Sequence, residues 1–223
     1  MSGQQNNLSR PAFEHLRMNY LAHLYLSGES DELLVGNFIG DYVKGRKYLN
    51  YPEEIARGII LHRHIDSYTD QHDLHKAAKA PFRTEFGHYS GILVDFIYDH
   101  FLARNWNNYA EISLSWFAKR SHSVLLSNFK HLPMRVQGFL PFLIQHRRLE
   151  SYASVDGITQ AIQIMAKYSS LPQKANVAQE LLLENYRDLE NNFEAFMKEL
   201  INYVQSEFDI ALKLPAKKQK SPE

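Results

Sequence analysis

The stretch GIILHRHIDSYTD, residues 58–70, decides the fold that we predict for this chain. Its apolar residues recur at the spacing of an amphipathic helix, and His62 and Asp66 lie one turn apart within them. A second stretch, LVDFIYDHF, gives Asp95 and Asp99 the same four-residue spacing. Buried imidazoles and carboxylates are costly unless they have partners, and a metal ion is a partner that several of them can share. The two stretches therefore favour a buried metal site between helices.

The composition is that of an ordinary globular protein. The chain has 223 residues, 44% of them hydrophobic and 13% aromatic, which is enough for a sizeable core. Its 25 basic and 25 acidic residues cancel, so no overall charge attracts nucleic acid or an anionic membrane. No apolar run reaches the roughly 18 residues of a membrane span. The absence of cysteine leaves His, Asp and Glu as the strong metal ligands, and we predict a cytoplasmic protein.

Helical periodicity dominates the chain without a convincing series of alternating strands, which predicts an all-α, single-domain multi-helix bundle. Glycine and proline residues mark the breaks between helices. The predicted helices cover 19–27, 31–44, 53–71, 73–86, 89–106, 109–130, 134–146, 151–168 and 175–212. The last of these is allowed one break. Residues 1–17 are predicted to be a flexible extension, with Met18 as an alternative start, and 213–223 a disordered tail. The domain would then span residues 18–212.

Helical geometry sorts the polar residues of two helices by face. At about 100° per residue, His62 and Asp66 fall on one apolar stripe, whereas His64 lies nearly opposite and is expected to meet solvent or substrate. On the fifth predicted helix, Asp95 and Asp99 share an apolar face. Each of these helices therefore directs a carboxylate inward.

Two further helices add polar residues to the same predicted site. Asp41 lies on the second helix beside Gly36 and Gly40, a small-residue pair that would let another helix approach closely. The first helix contributes His23 among leucines, in NYLAHLYLSG. Such a nitrogen and oxygen set suits Mn²⁺, Fe²⁺, Zn²⁺ or Mg²⁺ at a hydrolytic centre. The candidate ligands are His23, Asp41, His62, Asp66 and Asp95.

The same residues also have a purely structural interpretation. His62 and Asp66 can form a simple hydrogen-bonded pair one helical turn apart, and Asp95 can pair with Arg63 or Arg104. This interpretation does not explain why so many acidic residues face inward together. Three other histidines are predicted to lie on the surface, namely His72, His75 and His88.

Four motifs carry a resemblance to a known family. NYLAHLYLSG, GNFIGDYVKG, GIILHRHID and LVDFIYDHFLARNW occur in the order and spacing of the acyl carrier protein phosphodiesterases, which the chain resembles over residues 18–107. Beyond this range, the similarity is one of helical pattern and length. The resemblance implies a hydrolase, usually supported by Mn²⁺ with Mg²⁺ or Fe²⁺ as alternatives. It would cleave the phosphodiester between 4′-phosphopantetheine and the serine of holo acyl carrier protein, a reaction of fatty acid biosynthesis within lipid metabolism.

The resemblance also implies a ligand set. The family is regarded as a distorted relative of the HD phosphohydrolases, whose pattern is a His, a His-Asp doublet and a distant Asp. His23, His62 and Asp95 would stand for the first His, the second His and the distant Asp. The chain has HRHID in place of the doublet, which leaves the exact set open, with Asp41 as the most plausible added member.

Catalytic and docking roles follow from the same resemblance. The proton acceptor for the attacking water would be one of Asp66, Asp99 and His100. Arg63 would neutralise charge on the phosphate in the transition state, with Lys44 and Arg46 as further candidates. Because a carrier protein is strongly acidic, docking needs a local cationic surface. The candidates for that surface are Lys44, Arg46, Lys47, Arg83, Arg104 and the pair Arg147 and Arg148.

Two other functions stay open at this point. One is a related phosphohydrolase that acts on a nucleotide or another small phosphodiester, and the other is a non-catalytic helical binding module. Basic residues clustered at the mouth of the site would favour a protein substrate, and a deep narrow pocket would favour a nucleotide. An anhydrous core around His62 would exclude catalysis.

Overall fold

The computed structural model describes residues 20–215 and confirms the all-α prediction, since these residues form helices and no strand. None of the described helices combines the length and apolarity needed to cross a membrane. The predicted extension 1–17, the alternative start at Met18 and residues 216–223 of the predicted tail lie outside the described residues.

The described α-helices are α1 (Leu21–Tyr25), α2 (Asp31–Ile39), α3 (Glu53–Gln71), α4 (Asp73–Ala78), α5 (Arg83–Phe86), α6 (Ser90–Arg104), α7 (Leu114–Ser127), α8 (Met134–Gln145), α9 (Arg148–Ser151), α10 (Val155–Tyr168), α11 (Ala175–Glu184) and α12 (Tyr186–Phe208). Short 3₁₀ helices cover Gly40–Tyr42, Gly45–Asn50, Ala80–Phe82, Gly87–Tyr89, Trp106–Asn108 and Phe129–His131.

Several predicted helices are shorter or divided, for local reasons. The predicted helix 73–86 breaks into α4 and α5 around Pro81, which has no N–H to donate. The predicted helix 109–130 starts only at Leu114, because the Ser113 hydroxyl accepts a hydrogen bond from the backbone N–H of Trp116 and caps α7 there. The long C-terminal segment is broken at Asn185, between α11 and α12, as the prediction allowed.

Helix α6 forms the centre of the bundle. It is buried on almost all sides, and α1, α4, α10 and α12 pack around it. Leu93, Phe96, Ile97 and Phe101 are among its fully buried side chains. Asp99 lies on the same helix, so the polar site is built against the core of the bundle.

Helices α2 and α3 are in backbone contact through glycine. A Cβ atom on Gly36 would lie 2.0 Å from the carbonyl oxygen of Ile55, and one on Gly58 would lie 2.4 Å from that of Leu33. One turn further along the chain, where the 3₁₀ helix Gly40–Tyr42 begins, a Cβ atom on Gly40 would lie 2.3 Å from the ring of His62. The close approach predicted from the small-residue pair is confirmed, and the approaching helix is the one that carries His62.

The Gly36→Ala substitution is expected to lower the free energy of unfolding by at least about 1–3 kcal/mol, because the added methyl group meets rigid backbone. The Gly91→Ala substitution is the matched control, since its nearest atom is the flexible Lys79 Cε at 3.5 Å. The control should leave stability unchanged or raise it by up to about 1 kcal/mol. Urea denaturation followed by circular dichroism measures both. Equal midpoints for wild type and Gly36→Ala would contradict the backbone contact.

Candidate metal centre

Helices α1 and α3 bring together two histidines and a carboxylate. One ligand atom from each of His23, His62 and Asp66 lies within 4.8 Å of the others. The Nε2 atom of His23 is 3.4 Å from Oδ1 of Asp66, and Nε2 of His62 is 3.3 Å from Oδ2 of the same residue. The two imidazole rings stack with centroids 4.2 Å apart. Three of the five predicted ligands therefore form one compact group.

A single residue of α2, Asn37, orients both histidines. Its side-chain Nδ2 donates hydrogen bonds to the His23 carbonyl at 2.6 Å and to Ser27 Oγ at 3.0 Å, which identifies Oδ1 as the acceptor. The His23 Nδ1 donates to this Oδ1 at 2.9 Å. The His62 Nδ1 donates to the backbone carbonyl oxygen of Asn37 at 2.8 Å. Both rings are therefore anchored through Nδ1 and present Nε2 to Asp66.

The Nε2 atom of His62 is buried and makes no hydrogen bond to any residue that the structure describes. It faces Oδ2 of Asp66 and, at 3.6 Å, Oδ1 of Asp41. Burial alone would lower the pKa of His62, but the two carboxylates outweigh it and raise that pKa to about 9. The two histidines outweigh burial at Asp66 in turn and hold the pKa of its carboxyl well below the usual range. A cation entering here would replace the proton on Nε2.

Solvent reaches this group from one side. The side chain of Asp66 is 32% exposed, whereas that of His62 is 4% exposed. A cavity of about 60 Å³ lies beside His23 and Asp66, and its lining includes Phe193 and Met197 of α12. Water can therefore reach the carboxylate of Asp66, which faces His62.

The predicted ligand Asp95 lines the same cavity but pairs with another histidine. Its Oδ1 is 3.1 Å from Nε2 of His75, which is only 1% exposed. The prediction that His75 lies on the surface is wrong, because the short helix α4 packs against α6 and α12 and buries the imidazole between them. Arg63 and Arg104, the partners considered for Asp95 from the sequence, have other contacts.

The carboxylate of Asp99 caps the first helix. It is 1% exposed and accepts hydrogen bonds from the backbone N–H groups of Leu21 and Ala22, both at 2.9 Å. Burial raises the pKa of Asp99 to about 7, against the opposing effect of these hydrogen bonds. Asp99 also lines the cavity, and its bonds fix the backbone next to His23.

Two predicted residues of α6 lie in a different cluster. The His100 Nδ1 bonds to the Tyr152 carbonyl at 2.8 Å, and its Nε2 lies 2.9 Å from the Tyr186 hydroxyl. The guanidinium of Arg104 lies 5.9 Å from the centroid of the Tyr186 ring. The structure therefore does not bring His100 or Arg104 to the histidine pair.

Arg63 holds the segment that follows Asp41. Its Nη2 donates to the carbonyl oxygens of Val43 and Gly45, both at 2.7 Å, and its guanidinium lies over the Tyr48 ring. The exposed residues of this segment include three of the predicted substrate-binding residues, Lys44, Arg46 and Lys47.

His64 lies on the outer face of α3, as the helical geometry predicts. His64 is exposed and its Nδ1 lies 3.1 Å from the Tyr203 hydroxyl of α12. It takes no part in the group around His62, although it is only two residues away.

The donor set of two imidazole nitrogens and carboxylate oxygens can hold a divalent metal ion. His23, His62 and Asp66 are its core, and Asp41 lies close enough to His62 to join it. The orphaned Nε2 of His62 fits this assignment, because a buried polar atom without a partner otherwise costs free energy.

Sequence reasoning missed Asn37. The signal was present, because Asn37 is an amide within the apolar run LLVGNFIG and lies four residues before Asp41. An amide that is 0% exposed needs several hydrogen-bond partners, and those partners are what orient the two histidines.

Comparison with known protein families matches residues 18–200 to the family described as acyl carrier protein phosphodiesterase. A protein of that name from Yersinia pestis is 35% identical over 191 residues, which cover 84% of this chain and 98% of the relative. One from Serratia proteamaculans is 33% identical over 187 residues, covering 82% and 96%, respectively. One from a species of Enterobacter is 34% identical over 179 residues, covering 80% and 89%. No solved structure matches the chain.

Proposed function

The chain belongs to the acyl carrier protein phosphodiesterases, hydrolases that remove 4′-phosphopantetheine from the carrier protein, and we propose that it performs this reaction at the centre formed by His23, His62 and Asp66. The observation that carries the proposal is the pair of stacked imidazoles, both anchored through Nδ1 by Asn37 and both directed at one carboxylate.

We propose Mn²⁺ as the cofactor, with Mg²⁺ or Fe²⁺ as alternatives. His23, His62 and Asp66 would hold it, with Asp41 as the fourth protein ligand. A divalent cation at this position supplies positive charge that polarises the phosphodiester and lowers the pKa of a water. The mixed nitrogen and oxygen donor set supports this class of metal.

Side chains of the protein would then accept the proton of the attacking water and allow the serine oxygen to leave. The oxygen of a water molecule attacks phosphorus, and the bond between phosphorus and the serine oxygen breaks. Of the proton acceptors predicted from the sequence, Asp66 has its carboxylate in the centre, where it would hold the cation, and Asp99 lines the cavity beside it. The proton that the attacking water loses passes to the serine oxygen, so the products are the serine hydroxyl of apo carrier protein and free 4′-phosphopantetheine.

The ligand role of Asp95 and the proton-accepting roles of Asp99 and His100 stay predictions. The contacts of Asp99 support a positioning role, because it fixes the backbone that carries His23. The HD-like relationship, the place in fatty acid biosynthesis and the cytoplasmic location also stay predictions.

His62→Ala and Asp66→Ala are each expected to abolish turnover while preserving helicity. His64→Ala is the matched control, because this histidine lies on the exposed face of the same helix and should leave turnover near wild type. The assay incubates each variant with holo acyl carrier protein and Mn²⁺ and follows the carrier's intact mass for loss of the phosphopantetheine group. Near-native turnover in either of the first two variants would refute the ligand roles.

Asn37→Ala is expected to weaken Mn²⁺ binding by about 10- to 100-fold, the usual effect of losing a hydrogen bond that orients a metal-ligating histidine. Titration calorimetry of the purified protein measures the affinity directly. Asn105→Ala, which removes an amide bonded to Glu190 instead, is the control and should bind Mn²⁺ as wild type does. Equal affinities for all three proteins would mean that Asn37 does not orient the ligands.

A basic rim supports a protein substrate. Lys44, Arg46 and Lys47, which we call the basic rim, are exposed on the segment that follows Asp41 and that Arg63 fixes to α3. Asp41 lies 3.6 Å from His62, so the rim begins beside the proposed centre. We propose that the rim contacts the acidic surface of the carrier protein.

Lys47→Glu is expected to raise the KM for holo carrier protein by about two- to fivefold with little change in kcat, as expected for roughly 0.5–1 kcal/mol of exposed charge pairing. The effect should shrink at high salt, because screening weakens exposed ion pairs. Lys130→Glu carries the same charge change on the segment after α7 and should behave as wild type. A salt-independent KM that is identical in both variants would contradict docking at the rim.

A further inference from the structure

We infer that a groove beside Asp41 binds the pantetheine arm of the substrate, an inference that rests on the proposed function. The groove, which we call the arm groove, has a volume of about 620 Å³. Its lining includes Asp41, Lys44, Tyr89, Ile92, Met165 and Ser170. It shares Asp41 with the proposed centre, so a phosphodiester held at that centre has one end of the groove next to it.

The arm groove is much larger than the cavity beside His23 and Asp66. The cavity beside His23 and Asp66 holds about 60 Å³, which suits a few water molecules. The arm groove lies within the range of about 300–1,000 Å³ that is typical of sites for small organic ligands. A chain of the length of pantetheine therefore has room in the arm groove but not in the cavity.

The lining of the arm groove matches the chemistry of the arm. Pantetheine alternates amide groups with methyl and methylene groups and ends in a thiol. The phenol of Tyr89 and the hydroxyl of Ser170 offer hydrogen bonds to amides, whereas Ile92 and Met165 offer apolar contacts.

The position of Asp41 beside the proposed centre sets the direction of the arm. Lys44, three residues after Asp41, also lines the groove and belongs to the basic rim, and Arg135 is a second cation of the lining. A phosphate at the Asp41 end would lie between the proposed cation and this lysine, and the uncharged arm would extend away toward Ser170 and Met165. The carrier protein would then remain outside on the basic rim, with only its serine reaching the centre.

The test fills the groove without touching the proposed ligands. Ser170→Trp places a bulky neutral side chain in the arm groove, and Ser123→Trp makes the same change at an exposed position of α7. Free pantetheine, which lacks the phosphate, serves as the probe and should inhibit the wild-type enzyme competitively. We expect Ser170→Trp to raise both the KM for holo carrier protein and the inhibition constant of pantetheine by about tenfold or more, with kcat nearly unchanged. Ser123→Trp should match wild type in both constants.

The possible failures are distinguishable. If wild type releases phosphopantetheine but Ser170→Trp and Ser123→Trp have equal constants, the arm groove is not the binding site and the proposed function stands. If wild type leaves holo carrier protein intact with Mn²⁺ present, the proposed function fails, and the inference fails with it. Circular dichroism of both tryptophan variants excludes misfolding as the cause of a difference.

Discussion

The backbone contact between α2 and α3 is the constraint on which the rest of the site depends. Gly36 and Gly58 allow the two helices to touch without side chains between them. At this separation, the carbonyl oxygen of Asn37 reaches His62 Nδ1, and Gly40 leaves the space that the imidazole ring occupies. A methyl group at any of these glycines would push apart the groups that orient His62. The glycines therefore affect the proposed centre only by setting the distance between α2 and α3.

The polar residues around α6 have different partners and different roles. Asp66 and the two stacked histidines form the centre, Asp95 pairs with His75, and Asp99 caps the first helix. Each carboxylate thus has partners that offset the cost of its burial. In the centre, Nε2 of His62 faces Asp66 and Asp41 without making a hydrogen bond among the described residues. Ligand atoms of His23, His62 and Asp66 also lie within 4.8 Å of one another, which is why we propose the metal there rather than at the neighbouring pair.

The sequence was sufficient for the fold class and for the helix faces, because both depend on apolar periodicity and on glycine and proline breaks. It placed His62 and Asp66 inward and His64 outward, and the structure agrees. It failed for His75, because a six-residue helix is too short to show its buried face. It did not show that Asp95 pairs with His75, since periodicity tells which face is buried but not which neighbour each side chain meets. For the same reason, the hydrogen bonds of Asn37 could be identified only from the structure.

The most direct test of the central claim is anomalous diffraction from crystals of the protein grown with Mn²⁺, measured near the manganese absorption edge. We expect one strong anomalous peak within bonding distance of Nε2 of His23, Nε2 of His62 and the carboxylate of Asp66. A peak beside His75 and Asp95 with none at the expected position, or no peak at all in a crystal of active enzyme, would contradict a metal centre at His23, His62 and Asp66.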